Sequence, residues 1–271
     1  MSYSSTALAT TDSAPAVPPR TAETPAFSMA SLNLAKQSNP EKIVNAIRTS
    51  PGLRDADLYL FQEVRNTGGK VSVAEQAAHK LGHHVSFAPA ADGVHDQGLA
   101  IMSRYPIMHT DTLPLKSCDL RFRSRRRFAL AASVRTPSGD LRVWNVHLDT
   151  RINPKERLEQ LQPVIDDAAR RSGPRLIAGD LNTNGMYWLG NVLPVPCGPA
   201  HSIAIRGAMK EHGFDTPFPD GLNTFPRLRR HLDWIFLNQL VPLETETVPV
   251  AFSDHNAILV RCQPTEELLA Q

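Results

Sequence analysis

The chain has 271 residues and a mass of 29.8 kDa, and 41% of its residues are hydrophobic, so it is long enough to bury a sizeable core. A balance of 29 Lys and Arg residues against 27 Asp and Glu residues gives a net charge of +2, which excludes a polycation held to nucleic acid by bulk charge alone. No apolar run approaches the ~20 residues that span a bilayer, and the three cysteines lack metal-ligand spacing, which favours a reducing, cytoplasmic location.

The N-terminal segment is rich in Ser, Thr, Ala and Pro and poor in large aliphatic residues. Residues 1–27 are therefore predicted to be a disordered tail, and they lack the basic start and apolar stretch of a signal peptide. We expect residues 28–264 to form one folded domain and residues 265–271 a second short tail.

Short apolar runs alternate with helical patterns in the predicted domain. Strands are predicted at 28–34, 57–64, 84–88, 98–103, 127–135, 141–148, 175–179, 232–237, 246–250 and 257–261. Helices are predicted at 40–49, closed by Ser50-Pro51-Gly52, at 71–81 before Gly82, and from 153 to about 171, with a kink or early stop at Pro163. Many hairpin-linked strands with few helices favour an α/β (α+β) fold in which two sheets pack face to face with helices outside.

Polar residues cluster at the ends of these strands, where a ligand can reach them. They are Asn33, Glu63, His147, Asp149, Asp180, Asn182, His231, Asp233, Asp254 and His255. Strand side chains alternate faces, so each i, i+2 pair, such as Asp180 and Asn182, can aim two polar groups at one place. Adjacent residues such as Asp254 and His255 converge only in a bend.

Each residue taken alone has an ordinary structural explanation. Asn33 is typical of a turn, His147 of a satisfied core histidine, and Asp233 of an ion pair with Arg229 or Arg230. Taken together, carboxylates and carboxamides without cysteine form an oxygen-rich set suited to Mg²⁺ or Mn²⁺, and two histidines add groups for proton transfer.

Seven short motifs occur in a fixed order along nearly the whole domain. They are Ser31-Leu32-Asn33, Phe61-Gln62-Glu63-Val64, Gly98-Leu99-Ala100-Ile101-Met102-Ser103, Asn145-Val146-His147, Gly179-Asp180-Leu181-Asn182, Leu232-Asp233-Trp234-Ile235 and Ser253-Asp254-His255. In this set and order the chain resembles the endonuclease/exonuclease/phosphatase superfamily, which includes deoxyribonuclease I-like nucleases, abasic-site endonucleases, neutral sphingomyelinases and inositol polyphosphate 5-phosphatases.

The resemblance implies a four-layered α/β sandwich and a metal-dependent phosphoesterase. It implies that Glu63 is the principal ligand of Mg²⁺ or Mn²⁺, with Asn33 and Asp254 lining the same region. It further implies that Asp180 orients or deprotonates water, that Asn182 and His147 bind phosphoryl oxygens, and that His255, paired with Asp233, acts as base or phosphate stabiliser. Whether Asp180 or His255 is the base stays open. The residues Asp149, Arg157 and Gln160 are expected mainly to hold the junction between strand and helix.

Clustered positive charge in one segment of the chain suggests the class of substrate. Residues 121–127 contain five arginines beside two phenylalanines, and this pattern favours a phosphate backbone, with Arg123, Arg125, Arg126 and Arg127 as substrate-binding residues. Arg65 resembles an arginine that touches nucleic acid in deoxyribonuclease I-like enzymes. Ala35 and Val64 depart from the abasic-site pattern. We therefore expect an endonuclease on DNA or RNA; the alternatives are a phospholipid or phosphoinositide phosphodiesterase or phosphatase, with peripheral membrane contact, and a non-catalytic binding module.

Overall fold

The computed structural model describes residues 26–66, 71–90, 97–118, 120 and 126–265. The strands within these ranges are β1 (Phe27–Asn33), β2 (Leu58–Arg65), β3 (His84–Pro89), β4 (Gln97–Ser103), β5 (Ile107–Pro114), β6 (Phe128–Thr136), β7 (Gly139–His147), β8 (Arg175–Asp180), β9 (Met186–Leu189), β10 (Leu193–Pro196), β11 (Asp233–Asn238), β12 (Leu240–Val248) and β13 (Ala257–Pro264). The helices are α1 (Pro40–Thr49), α2 (Pro51–Asp55), α3 (Val73–Leu81), α4 (Pro154–Ala169) and α5 (Ala200–Glu211), with a 3₁₀ turn at Pro226–Leu228. The predicted tails lie almost wholly outside the described residues, and β1 begins one residue before the expected boundary.

Two mixed sheets pack face to face. One has the order β12-β13-β1-β2-β4-β3 and the other β11-β8-β7-β6-β5, while β9 and β10 form a separate hairpin. Side chains from both sheets, including Met29, Leu60, Val143 and Ile235, share one buried core. Two further cores lie on the outer faces, one under α1, α2 and α3 and one under α4 and α5. The expected four-layered sandwich is confirmed.

Helix starts follow the local sequence signals. The Asn39 side chain accepts a hydrogen bond from the Glu41 backbone N–H at the start of α1, with Pro40 in the first turn. The predicted α1 is therefore confirmed at residues 40–49. Ser50 closes α1 as expected, since its backbone N–H donates to the Ala46 carbonyl, and the short helix α2 begins directly afterwards at Pro51, a residue that is favoured at the first position of a helix.

The early stop predicted at Pro163 is wrong, since α4 continues through it to Ala169. Leu161, Val164 and Ile165 are buried against the five-stranded sheet on both sides of the proline. Pro163 itself is only partly buried, and it lacks the N–H that would donate to the carbonyl four residues earlier. Packing of the apolar face therefore outweighs the missing hydrogen bond.

Several elements were not expected from the sequence. Strand β5 lies at a sheet edge and carries the polar run His109-Thr110-Asp111-Thr112, so it lacks an apolar signal. Helix α5 buries His201, Ile205 and Met209, an i, i+4, i+8 spacing that was a usable signal. Among the described helices, none has the length together with the apolarity that crossing a bilayer requires.

Candidate active site

Three polar residues stand side by side where three neighbouring strands meet. His147 is the register partner of Asp180 across the parallel strands β7 and β8, and Asp180 is the partner of Asp233 across the antiparallel strands β8 and β11. All three are buried. The same edge receives the end of β1 from the other sheet, because the Asn33 Nδ2 atom donates to Asp180 Oδ2 over 3.1 Å. Strand ends from both sheets thus form one polar cleft.

A histidine and a carboxylate form the tightest pair in this cleft. His255 Nδ1 lies 2.8 Å from Asp233 Oδ2, and the Asp233 side chain is fully buried. The Asp233 backbone N–H donates to Thr224 Oγ1, whereas its Oδ1 atom is buried without a hydrogen-bond partner. Burial lowers the pKa of His255, but the charge and hydrogen bond of Asp233 outweigh it and raise that pKa to about 10. The imidazole is thus held protonated at neutral pH.

The Asp180 carboxylate lies at the centre of the cleft. Its Oδ2 atom is 3.5 Å from His147 Nε2 and 3.9 Å from His255 Nε2. Its Oδ1 atom accepts a hydrogen bond from the Asn182 backbone N–H over 2.9 Å. Burial and then the nearby Asp233 charge raise the pKa of Asp180 to about 7, a value that suits a group which exchanges protons at neutral pH.

The chain around Asp180 needs an unusual backbone. Gly179 has a φ of +140°, and a Cβ atom there would lie 1.9 Å from the Val146 carbonyl oxygen, so only glycine fits. Asn182 has a φ of +52°, and its Nδ2 atom donates to the Leu148 carbonyl oxygen. Close approach of β7 and β8 therefore places Asp180 and Asn182 at the cleft.

Glu63 sits in a bulge of β2. Its φ is +51°, and the register between β2 and β4 shifts between Phe61 and Val64. Its negative charge contributes to the raised pKa of Asp180, after the larger effects of burial and Asp233, so the carboxylate acts on the cleft. Non-glycine residues with such a backbone conformation are found often at active sites.

Asn145 forms a polar bridge between the two sheets. No role was expected for this residue from the sequence. Its Oδ1 atom accepts from Gln62 Nε2 over 2.7 Å, and its Nδ2 atom donates to the carbonyls of Phe61 and Ala100. The bridge fixes β2 next to Glu63. Its place in the Asn145-Val146-His147 motif was the available signal.

The residues present fit a divalent cation. One ligand atom from each of Asp180, Asp233 and His255 lies within 4.8 Å of the others, and one buried oxygen of Asp233 lacks a partner. All three members of this group were expected from the sequence to be catalytic residues, not metal ligands. Of the expected ligands, Asn33 contacts Asp180, whereas Asp254 is partly exposed and lies 3.9 Å from the guanidinium of Arg227.

The expected substrate-binding arginines fall into three groups. Arg65 and Arg126 are exposed. The Arg127 Nε atom lies 2.8 Å from Asp149 Oδ1 in a largely buried ion pair, which gives it a structural partner. Arg123 and Arg125 lie outside the described residues.

Beneath the cleft, a buried guanidinium holds the junction between β7 and α4. Arg157 donates from Nη1 to the carbonyls of Asp149 and Leu181 and from Nε to His201 Nδ1. Gln160 Nε2 donates to Asp149 Oδ2, and Gln160 Oε1 accepts from the Asp149 backbone N–H. These contacts agree with the structural role expected for Asp149, Arg157 and Gln160. His231 stacks on Trp234 with ring centroids 3.8 Å apart, and neither of its ring nitrogens forms a hydrogen bond with the Asp233 side chain.

Two facing mixed sheets with an acid–histidine cleft at their joined ends define the deoxyribonuclease I-like superfamily, whose members are generally hydrolytic phosphoesterases. The chain belongs to the endonuclease/exonuclease/phosphatase family, whose sequence profile matches residues 30–255.

Solved structures share this fold. A family protein from Beutenbergia cavernae DSM 12333 is 21% identical with a TM-score of 0.70, over 89% of this chain and 72% of that chain. The human Nocturnin catalytic domain with bound sulfate is 15% identical with a TM-score of 0.64, over 89% and 94%. ANGEL2, described as a 2′,3′-cyclic phosphatase and bound to adenosine-2′,3′-vanadate, is 17% identical with a TM-score of 0.62, over 88% and 95%. At these identities the likeness concerns the fold alone.

Proposed function

We propose that this protein is a divalent-metal-dependent phosphodiesterase and that its substrate is nucleic acid, cut internally by an endonuclease reaction. The observation that carries the proposal is the buried group of Asp180, Asp233 and His255 at the joined strand ends. Perturbed titratable groups that converge in a cleft are typical of catalytic sites.

The charge of the cleft supports a bound cation. Two buried carboxylates, Asp180 and Asp233, and the nearby Glu63 face a single imidazole that is protonated at neutral pH. An anionic phosphodiester would be repelled from such a cleft unless positive charge is added. Glu63, Asn33 and Asp254, the proposed ligands from the family resemblance, would hold Mg²⁺ or Mn²⁺ beside the buried carboxyl oxygens of Asp180 and Asp233. When bound, such a cation neutralises charge on the phosphoryl oxygens and lowers the pKa of bound water.

Each side chain in the cleft is proposed to have a separate role in the reaction. Asp180 is proposed as the base that takes the proton of the attacking water, since its raised pKa of about 7 matches neutral pH. His255 is proposed as the phosphate stabiliser, because Asp233 keeps it protonated and oriented. His147, within 3.5 Å of Asp180, and Asn182 are proposed to donate hydrogen bonds to phosphoryl oxygens.

Nucleic acid is the preferred substrate because exposed arginines are available for its backbone. Arg65 ends the strand that carries Glu63, and Arg126 precedes β6. Both are exposed and offer donors for phosphate oxygens. Arg123 and Arg125 stay part of this proposal, while Arg127 is proposed to anchor the segment through Asp149.

A second candidate is a phospholipid or phosphoinositide substrate, which one observation favours. The hairpin of β9 and β10 begins four residues after Asn182 and exposes Tyr187, Leu189, Leu193 and Val195. Exposed apolar side chains next to a cleft suit a peripheral contact with a lipid surface.

The test compares substrates in the presence of Mg²⁺ or Mn²⁺: plasmid DNA, single-stranded RNA, sphingomyelin vesicles and inositol phosphates. We expect cleavage of nucleic acid that is lost on chelation and in the Asp180→Asn and His255→Ala variants, which control for contaminating nuclease. Cleavage of lipid without cleavage of nucleic acid would overturn the preferred substrate. The cytoplasmic location expected from the sequence stays a prediction.

A further inference from the structure

Besides residues 121–127, a second basic segment lies beside the cleft. Residues 225–230, Phe-Pro-Arg-Leu-Arg-Arg, form a loop immediately before β11, and we call it the arginine loop. Arg227 and Arg229 are exposed, and Arg230 is half-buried. Three guanidinium groups therefore occur within four residues of the chain.

The loop is fixed to the catalytic residues at both of its ends. The Phe225 ring meets the His255 imidazole edge-on, with centroids 5.0 Å apart. Phe225 and Arg230 pair through both of their backbone N–H groups, which closes the loop. Just before the loop, Thr224 Oγ1 accepts hydrogen bonds from the backbone N–H groups of Leu232 and Asp233. The positions of the arginines are thereby tied to those of Asp233 and His255.

The charges of the loop are largely uncompensated. Arg227 Nη1 lies 3.9 Å from Asp254 Oδ2, a long and exposed ion pair. Arg229 has no ion pair within the part of the chain that the structure describes. Arg230 reaches Gly185, where an added Cβ atom would lie 2.8 Å from Nη1, so this guanidinium lies near the chain that follows Asn182. Three cations thus face one distant carboxylate.

We propose that the arginine loop binds a second phosphate of the substrate, next to the phosphate that is cleaved. This inference rests on the proposed phosphodiesterase function. A planar guanidinium binds phosphate oxygens in a bidentate manner, and neighbouring phosphates of a nucleic acid strand present such a row of anions. The quaternary ammonium of a phosphocholine head group would meet repulsion at the same place. The shared chemistry is a substrate with more than one phosphate, and a nucleic acid strand is the form we favour over an inositol polyphosphate.

The test removes the loop charges and compares the result with an equal charge loss elsewhere. The loop variant is Arg227→Gln/Arg229→Gln/Arg230→Gln. The control variant is Arg135→Gln/Arg170→Gln/Arg171→Gln, which changes the net charge equally. Arg135 lies at the end of β6 that adjoins the start of β7, whereas His147 ends β7, and Arg170 follows the C-terminal end of α4. A 16-residue helix places Arg170 about 24 Å from Pro154, whose end of α4 lies under the cleft.

Steady-state kinetics give the first readout, with three substrates: a short single-stranded oligonucleotide, inositol hexakisphosphate, and bis-p-nitrophenyl phosphate with its single phosphate. In the loop variant we expect the KM for the oligonucleotide to rise about tenfold or more and the KM for the single-phosphate diester to change no more than about twofold. The control variant should change both by no more than about twofold. Hydrolysis of inositol hexakisphosphate with the same sensitivity to the loop variant, and none of the oligonucleotide, would assign the second phosphate to an inositol polyphosphate and overturn the nucleic acid strand.

Binding gives a readout that does not depend on catalysis. Fluorescence anisotropy of a labelled single-stranded oligonucleotide at several salt concentrations should give a slope of log K against log salt that is smaller by at least about 0.7 in the loop variant, the change for one lost phosphate contact. Equal slopes in the loop and control variants would overturn the proposal. A wild-type protein that cleaves no phosphodiester but shows the slope difference would reject the proposed function and keep the loop as an anion site. Should the triple variant unfold, the single Arg229→Gln variant, compared with Arg170→Gln, should lower the slope by about 0.7 and decides the same question.

Discussion

Asp180 and Asp233 stand directly opposite each other on the adjacent antiparallel strands β8 and β11, with both carboxylates buried. Like charges in such a position destabilise a fold unless a proton or a cation separates them. The raised pKa of Asp180, caused first by burial and then by Asp233, is the consequence of this pairing. The geometry that raises this pKa therefore also destabilises the fold when both carboxyl groups are ionised.

The first prediction concerns the effect of this carboxyl pair on the stability of the metal-free protein. The pKa of Asp180 in the folded state is about 7, above its ordinary value of 3.8, so its contribution to stability is fully present below about pH 4 and is lost as the pH rises through 7. In the presence of a chelator, Asp180→Asn should raise the melting temperature by several degrees at pH 8 and by much less at pH 5. Mg²⁺ should stabilise the wild type and not the variant; an equal gain at both pH values would contradict the repulsion.

The second prediction concerns the orientation of His255. Asp233→Asn keeps the shape of the side chain but removes the charge that holds His255 protonated and oriented. We expect kcat to fall by about two to three orders of magnitude, as on loss of a donor that stabilises transition-state charge, with a smaller change in KM. The NMR titration of the His255 imidazole should move to lower pH. A variant with near wild-type kcat would show that the pair is structural only.

The third prediction concerns the polar bridge between the sheets. Asn145→Ala removes the side-chain donor of the Phe61 and Ala100 carbonyls and the nearest acceptor of Gln62 Nε2. Each unsatisfied buried group costs about 1–3 kcal/mol, so the free energy of unfolding should fall by at least about 2 kcal/mol in urea titrations. Ser133→Ala, which removes one hydrogen bond from the buried Arg142, is the comparison and should change the free energy of unfolding less. Equal losses of unfolding free energy in the two variants would contradict a special stabilising role of the Asn145 bridge.

The fourth prediction concerns the glycine before Asp180. Gly179→Ala would place a Cβ atom 1.9 Å from the Val146 carbonyl oxygen, so β7 and β8 must separate. Activity should fall at least about a hundredfold, because small misplacements of catalytic groups have effects of that size. Gly173→Ala is the matched control, since Gly173 also has a positive φ, +80°, but no atom within 4 Å. Comparable losses in both would point to backbone strain alone.

The fifth prediction concerns stability in acid. His201 accepts a hydrogen bond from Arg157 and is buried, and burial followed by the Arg157 charge lowers its pKa to about 4. Its contribution to stability is present above pH 6.5 and is lost as the pH falls towards 4. Urea titrations at pH 7 and 5 should show a loss in the wild type that is smaller in His201→Gln, which keeps an acceptor for Arg157. A pH dependence unchanged in this variant would assign the loss to other groups.

Much of the fold was predictable because local signals and the tertiary fold agree. The cap at Asn39 and the turn at Gly82 mark helix ends through their own backbone chemistry. Strand β5 was missed because an exposed edge strand needs few apolar residues, and β9 and β10 carry two prolines that weaken a strand pattern. The early stop expected at Pro163 does not occur, because the apolar face of α4 is stabilised by packing against residues that are distant in the sequence.

The sequence by itself determined the family, the layered fold and the residue types of the cleft, because motif order and apolar periodicity are properties of the chain alone. Only the tertiary structure decided which of these residues meet. Register between β7, β8 and β11 brings His147, Asp180 and Asp233 together, whereas the i, i+2 partners Asp149 and His231 turn to Arg127 and Trp234 instead. The physical reason is that pairing between distant strands, and the burial and pKa shifts that follow from it, depend on contacts between residues that no local pattern relates.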